Sequence, residues 1–321
     1  MTPLVGIARL AAQSPSLEAK HRTEYFKLPT RKYISRCTSP RMPFRWMINP
    51  YRGCEFGCKY CYARYTHEFM ELRDSQDFEK KIFVKHFDPA AFRSELRALP
   101  IGEAIVIGTA TDPYQPAERK YRLTRAMLHQ LSQSAGHCVC LITKSDLVAR
   151  DIDLFQEISR RSHLTLVITI TTLDRDLARL LEPLAPLPGL RLNAVRKLSA
   201  AGLRVAVNLA PIMPLLNDAE PSLDAVAKAA ARAGAVQLGG NVVYLKDCAQ
   251  KVFFPFLQER FPSYLRRYQE RFERSPYLSG AYPEMIRERL QRIRRRYGLE
   301  ERKREPEPEL WPQDPQMTLF S

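Results

Sequence analysis

The chain has 321 residues, 45% hydrophobic and 26% charged, which excludes a disordered protein and suits one large domain or two ordinary ones. No apolar run approaches the ~20 residues of a membrane helix, and the first 30 residues lack the apolar core of a secretory signal, so a cytoplasmic protein off the membrane is expected. The net charge of +15 gathers at the ends: residues 1–45 hold nine Lys/Arg against two acids, and 263–304 hold thirteen against six. Residues 305–321 have four acids and no base. Basic ends of this kind suit nucleic-acid phosphates, of DNA or RNA. The plainer alternative is a solvated helix over 287–297 carrying Arg287, Arg289, Arg292, Arg294, Arg295 and Arg296.

In chain order, residues 1–43 show no sustained period and carry Pro29, Pro40 and Pro43, which predicts an extended basic arm. Strand-like runs follow at 45–49, 104–108, 138–143, 164–169, 204–209 and 236–244. They are almost continuously apolar, as strands buried on both faces are. Helical periodicity lies between them at 124–135, 151–161, 190–201 and 223–233, the last two closed by Gly202 and Gly234 at the C-cap. Strands alternating with helices predict a parallel βα sheet, either open and doubly wound or a partial barrel. Beyond 244 the pattern turns helical, over 246–274 and 282–297, and the proline-rich segment 300–321 reads as a flexible tail. The expected organisation is an arm (1–43), a βα unit (44–245), a helical extension (246–299) and a tail (300–321).

Seven cysteines, an odd number in a chain with a full-sized core, argue against a disulfide framework. Three of them, Cys54, Cys58 and Cys61, are spaced C-x3-C-x2-C in a loop directly after the first run. A closed structural zinc site needs four ligands, and the spare candidates Cys37 and His67 are not at ligand spacing. Three thiolates in a compact loop fit an iron–sulfur cluster with one iron left open. Gly53 and Gly57 let the backbone wrap such a cluster closely. Cys138 and Cys140 alternate along a strand and read as small buried hydrophobes, and Cys248, after the sixth run, is not expected to serve as a hydrogen donor. His67 and His86 show no partner in the sequence.

This motif, with Tyr60 just before its third cysteine and a six-fold βα repeat around it, resembles the radical S-adenosylmethionine (SAM) superfamily. The wording NPYRGC, KYCYAR, GTATDPYQPAE, ITKS and APIMP-LLND resembles the spore photoproduct lyase-like branch. The resemblance implies a (βα)6 partial TIM barrel whose three cysteines hold a [4Fe–4S] cluster. It also implies S-adenosyl-L-methionine as cofactor, cleaved to a 5′-deoxyadenosyl radical, and an electron donor such as flavodoxin or ferredoxin. The cofactor cradle belongs at the strand ends. There the candidates are Tyr60, Thr109, Thr111, Asp112, Lys144, Thr171, Asn208 and Pro211, with Tyr114 and Tyr244 as possible radical relays. The lyase branch places a hydrogen-donating cysteine near the end of strand two, where this chain has Thr109. The functional expectation is a radical enzyme acting on nucleic acid, lyase-like and in DNA repair. The alternatives are a non-catalytic metal-containing nucleic-acid-binding protein, or a radical enzyme modifying a protein or metabolite. Finally, Gln316, Leu319 and Phe320 resemble the peptide motif that docks bacterial repair proteins on the sliding clamp.

Overall fold

The computed structural model describes residues 4–20, 23–40 and 42–300. Eleven strands occur among them: β1 (Ser16–Lys20), β2 (Thr23–Leu28), β3 (Ile34–Arg36), β4 (Trp46–Ile48), β5 (Tyr51–Arg52), β6 (Lys81–Lys85), β7 (Ala104–Ile107), β8 (Cys138–Thr143), β9 (His163–Thr169), β10 (Val205–Ile212) and β11 (Gln237–Val242). Six of them form a parallel run in chain order, β4-β7-β8-β9-β10-β11, with β3 added antiparallel at the β4 edge. Neighbours in chain order, joined by helical crossovers, give the winding of a partial TIM barrel. The register pairs Met47 with Val106, Leu141 with Leu166 and Asn208 with Gly239, so all six C-terminal ends open on one side.

The strands form where the apolar runs predict them, but burial is one-sided in part: β8 alternates half-buried and buried residues, and β11 fully buries only Leu238. Ile105, Leu141, Leu166, Ile168, Val207 and Leu209 are all fully enclosed. Each outer helix turns one apolar stripe inward: Met127, Leu128 and Leu131 in Leu123–Ser132, and Leu154, Phe155 and Ile158 in Ile152–Arg161. Pro188–Ala200 and Glu220–Arg232 repeat the pattern.

The structure corrects two expectations. Residues 1–43 are not an extended arm: they supply the helix Gly6–Ala12 and strands β1, β2 and β3. β2 pairs in parallel with β6 and buries Tyr25 and Leu28, forming with β1 and β5 a second sheet in the order β1-β2-β6-β5. Its strands are too short, and its prolines too frequent, for a sequence period to emerge. The expected long helix over 246–274 is two helices, Asp247–Arg260 and Pro262–Phe272. Pro262 begins the second, where its missing N–H costs nothing.

The arginine helix Ala281–Tyr297 is not simply solvated. Arg296 pairs with Asp224 at 2.5 Å, and Arg289 and Arg292 face Glu220 at 3.8 and 3.4 Å. The helix is thus tied to Glu220–Arg232. Among the described residues no helix is long and apolar enough to cross a membrane. Gln316, Leu319 and Phe320 lie outside the described residues.

Candidate active site

The cysteine loop leaves β5 through Gly53, whose φ is +83°. A Cβ at this position would stand 2.7 Å from the Lys81 carbonyl oxygen and 2.8 Å from that of Phe78, so glycine is required. The loop is then gripped from several sides. The Cys54 amide donates to the Phe78 carbonyl at 2.9 Å and the Lys59 amide to the Leu181 carbonyl at 2.9 Å. The Gly53 carbonyl accepts from the Thr111 hydroxyl (2.6 Å) and the Gln115 amide (3.1 Å). The Glu55 carboxylate accepts from the Ala117 amide at 2.7 Å and the Tyr25 hydroxyl at 2.8 Å.

Cys54 and Cys58 are buried, Cys61 is half-buried, and all three thiols are free. They share an apolar cluster with Phe56, Tyr60, Phe78, Met213, Val243 and Leu245. Burial pushes each thiol up, Cys58 to about 12, and Cys61 adds to the rise at both Cys54 and Cys58. Such thiols ionise only against a strong positive charge such as a metal cluster brings. Among the described residues no three His, Cys, Asp or Glu side chains are set to hold a metal ion. A cubane asks for a different arrangement, because each thiolate binds its own iron corner. Three thiols in one apolar cluster suit that demand.

Behind the loop runs a buried polar chain. The Tyr60 hydroxyl donates to the Glu182 carboxylate, which also accepts from Thr171 at 2.6 Å and pairs with Arg191 at 2.5 Å. Burial pushes the Glu182 carboxyl up, but Arg191 and Lys144 outweigh it and hold the group below the usual carboxylate range. The Lys144 ammonium lies 5.8 Å from the centre of the Tyr60 ring. Burial opposes its charge, while Cys58 and Glu182 more than offset this and raise it.

At the end of β7, Asn49 holds the turn by accepting from the Ala110 amide at 2.8 Å and donating to the Thr109 hydroxyl at 3.1 Å. Asp112 accepts from Thr143 (2.7 Å), the Tyr114 amide (2.9 Å) and the Lys144 amide (2.8 Å), tying the ends of β7 and β8 together. Burial nonetheless raises its carboxyl, as those bonds offset only part of the desolvation. Asn208, midway along β10, is half-buried beside the bare backbone of Gly239. The Pro211 carbonyl accepts from Asn217 at 3.1 Å.

A superfamily model described as radical SAM matches residues 48–226. The chain belongs to the radical SAM superfamily. This radical SAM enzyme is 35% identical over 282 residues to an uncharacterized protein of Mycobacterium tuberculosis, covering 87% of this chain and 83% of that one. It is 30% identical over 199 residues to an uncharacterized protein of Methanocaldococcus jannaschii, covering 62% of this chain and 71% of that one. In fold it resembles a mutant spore photoproduct lyase with TM-score 0.62 and 15% identity, over 85% of this chain and 79% of the lyase. Another mutant of that lyase, with bound AdoMet and dinucleoside spore photoproduct, gives 0.57 and 15% over 84% and 79%. The superfamily's cofactors are a [4Fe–4S] cluster and S-adenosylmethionine, and its chemistry needs an external electron donor.

Within this radical SAM fold the sequence candidates divide. Cys54, Cys58, Cys61, Tyr60, Lys144 and Thr171 come together in one cluster centred on Tyr60. Thr111 does not join them as a ligand-facing group, because its hydroxyl is buried and given to the Gly53 carbonyl. Tyr114 is a packing residue: its buried hydroxyl donates to Asp151 at 2.8 Å and its ring lies under Arg150. Tyr244 is stacked on Tyr277 at 4.4 Å and lies 6.0 Å from Tyr62, which follows the last cysteine. Cys248 is buried, with its thiol 3.9 Å from the Tyr62 carbonyl. Cys138 and Cys140 are half-buried on β8.

The sequence reading missed Glu182, Arg191, Gln115, Glu55 and Asn49. The first two lie on different elements, with no spacing to betray the pair. Asn49 and Gln115 stand inside motifs already quoted, at the first strand end and after Asp112, where an amide that pins a turn could have been looked for.

Proposed function

We propose that this enzyme acts on nucleic acid as a lyase-like radical SAM enzyme, with Cys54, Cys58 and Cys61 as the cluster ligands. The observation that carries the site is two buried thiols and one half-buried thiol in one apolar cluster, bordered by cationic and polar strand ends. The cluster and S-adenosylmethionine, when bound, supply one-electron cleavage of a carbon–sulfur bond and hydrogen abstraction from substrate.

The chain's own residues then have separable tasks. Lys144 offers a cation to the cofactor carboxylate, and Asp112 and the Thr109 hydroxyl offer acceptors to its ammonium. Asn208 and Pro211 would border the adenine side, while Thr171, buried with its hydroxyl given to Glu182, braces Tyr60 rather than the ribose. Tyr60 holds the loop against Glu182, while Met213, Val243 and Leu245 keep the pocket dry. The basic ends support a nucleic-acid substrate, with a DNA lesion the favoured class. The tail residues Gln316, Leu319 and Phe320 would dock the enzyme on a sliding clamp, which binding of a peptide of residues 308–321 to purified clamp tests.

Replacing Cys54, Cys58 or Cys61 singly by Ala should remove most iron and abolish reductive cleavage of S-adenosylmethionine. The same change at Cys37, Cys138, Cys140 or Cys248 should leave iron and cleavage intact. Full iron in all three ligand variants refutes the assignment. The substrate is tested by incubating the reduced holoenzyme and S-adenosylmethionine with damaged DNA, RNA and small metabolites. Turnover of a metabolite alone overturns the nucleic-acid reading.

A further inference from the structure

Away from the thiols, Arg52 and Lys85 share one face of the antiparallel pair β5–β6. Arg52 stands opposite Phe83, and Lys85 is two residues further along the same face. Diagonal neighbours of this kind lie about 7–8 Å apart. Both residues are half-buried. The Arg52 Nε is enclosed and has no hydrogen-bond partner among the described residues.

Nearby charges do not neutralise them. Lys81, the other lysine of this face, is paired with Asp77 at 3.1 Å. The carboxylate that acts on Lys85 is Glu95, which accepts from the amides of Tyr33 (3.0 Å) and Ile34 (2.8 Å) and whose attraction is outweighed by burial and by Arg52. Burial, with the Arg52 charge beside it, pushes the Lys85 ammonium down to about 7. Two neighbouring, partly desolvated cations repel each other, and a bound anion removes that cost.

We propose that Arg52 and Lys85 form a binding site for a phosphate group. A guanidinium fork beside a point-charge ammonium suits an anion with several oxygens. Free phosphate and a nucleic-acid phosphodiester share this chemistry, and only the second source rests on the nucleic-acid reading above.

The test titrates the holoenzyme with sodium phosphate against sodium chloride at constant ionic strength, reading thermal melting and phosphorus NMR. Wild type is compared with Lys85→Met and with Lys27→Met, which removes an exposed lysine from the neighbouring strand. Phosphate should stabilise wild type and K27M, and its affinity should fall about tenfold or more in K85M. Lys85→Gln serves if K85M does not fold. An equal response in all three proteins, or none in wild type, overturns the site. A single-stranded oligonucleotide that displaces phosphate from wild type identifies the phosphodiester as the source. An oligonucleotide that binds and leaves phosphate in place assigns the site to a free anion. Because binding is read without turnover, failure here is distinguishable from failure of the proposed radical chemistry.

Discussion

Glu182 and Arg191 form an ion pair at 2.5 Å in which each residue is only 1% exposed. The same carboxylate takes the Tyr60 hydroxyl, so the pair supports the cysteine loop from behind. Arg191 reaches further, donating to the Pro186 carbonyl at 2.6 Å and the Thr169 carbonyl at 3.2 Å. One buried charge thus joins the end of β9 to the loop through a single carboxylate.

Breaking this pair from one side should be costly. Glu182→Met leaves the Arg191 charge buried without its counter-ion, which costs about 3–5 kcal/mol. The double variant Glu182→Met with Arg191→Met should lose clearly less than the sum of the two single changes. Urea unfolding of the four proteins checks this. Additive losses would show that the two residues act independently.

The loop glycines should separate in their effects. Gly53→Ala forces a Cβ to within 2.8 Å of two carbonyl oxygens and should shift the loop, lowering iron retained per chain severalfold. At Gly57, φ is +63° but the nearest contact is 3.8 Å, so Gly57→Ala should cost only the local backbone strain, about 1–2 kcal/mol. Iron analysis after anaerobic reconstitution distinguishes them. Equal iron in both variants would show that the close approach at Gly53 does not matter.

How much of this was legible depends on range. Barrel strands announce themselves as continuous apolar runs, as in CVCLIT of β8, where buried residues alternate with half-buried ones. The thiols announce themselves because their spacing is local. Glu182 and Arg191 lie only nine residues apart, but nothing local marks them as part of the site, because the Tyr60 hydroxyl they support stands 122 residues before Glu182. Thr111 illustrates the opposite error: a hydroxyl at a strand end reads as ligand-facing, yet the Gly53 carbonyl it satisfies lies 58 residues earlier. The β1-β2-β6-β5 sheet was hidden because β2 pairs with a strand more than fifty residues away, and its own run is short.

His67 should make the protein acid-sensitive. It is 1% exposed, its Nε2 donates to the Lys81 carbonyl at 2.9 Å, and its Nδ1 is enclosed without a partner. Burial pushes it down to about 4, against an ordinary value of 6.5. Above pH 6.5 both folded and unfolded states hold it neutral, and it adds no pH dependence. As pH falls from 6.5 towards 4, the unfolded chain takes a proton that the folded protein refuses, so stability drops. The ceiling is on the order of 3 kcal/mol. His67→Gln keeps an amide donor and cannot titrate. Its stability curve should be flatter than wild type over this range, as urea midpoints at several pH values would reveal. Parallel curves would place the acid sensitivity elsewhere.

The arginine helix Ala281–Tyr297 offers phosphates only some of its cations. Asp224 holds Arg296 and, at 2.7 Å, the Tyr297 hydroxyl, while Glu220 lies beside Arg289 and Arg292. These contacts anchor the helix to its neighbour, so Arg289 and Arg296 are poor choices for probing DNA. Arg287, Arg292 and Arg295 have side chains 68%, 54% and 63% exposed, with acid partners that are themselves accessible. Exposed pairs of that kind exchange readily for a phosphate, because each is worth little. Reversing these three charges to Glu should weaken single-strand binding and reduce the log–log salt slope by about 0.7 for each phosphate left unneutralised. The measurement is oligonucleotide affinity across a salt series, with stability checked in parallel. An unchanged slope in the triple variant would make the helix a structural tie, and leave the N-terminal cations as the remaining basic end to test.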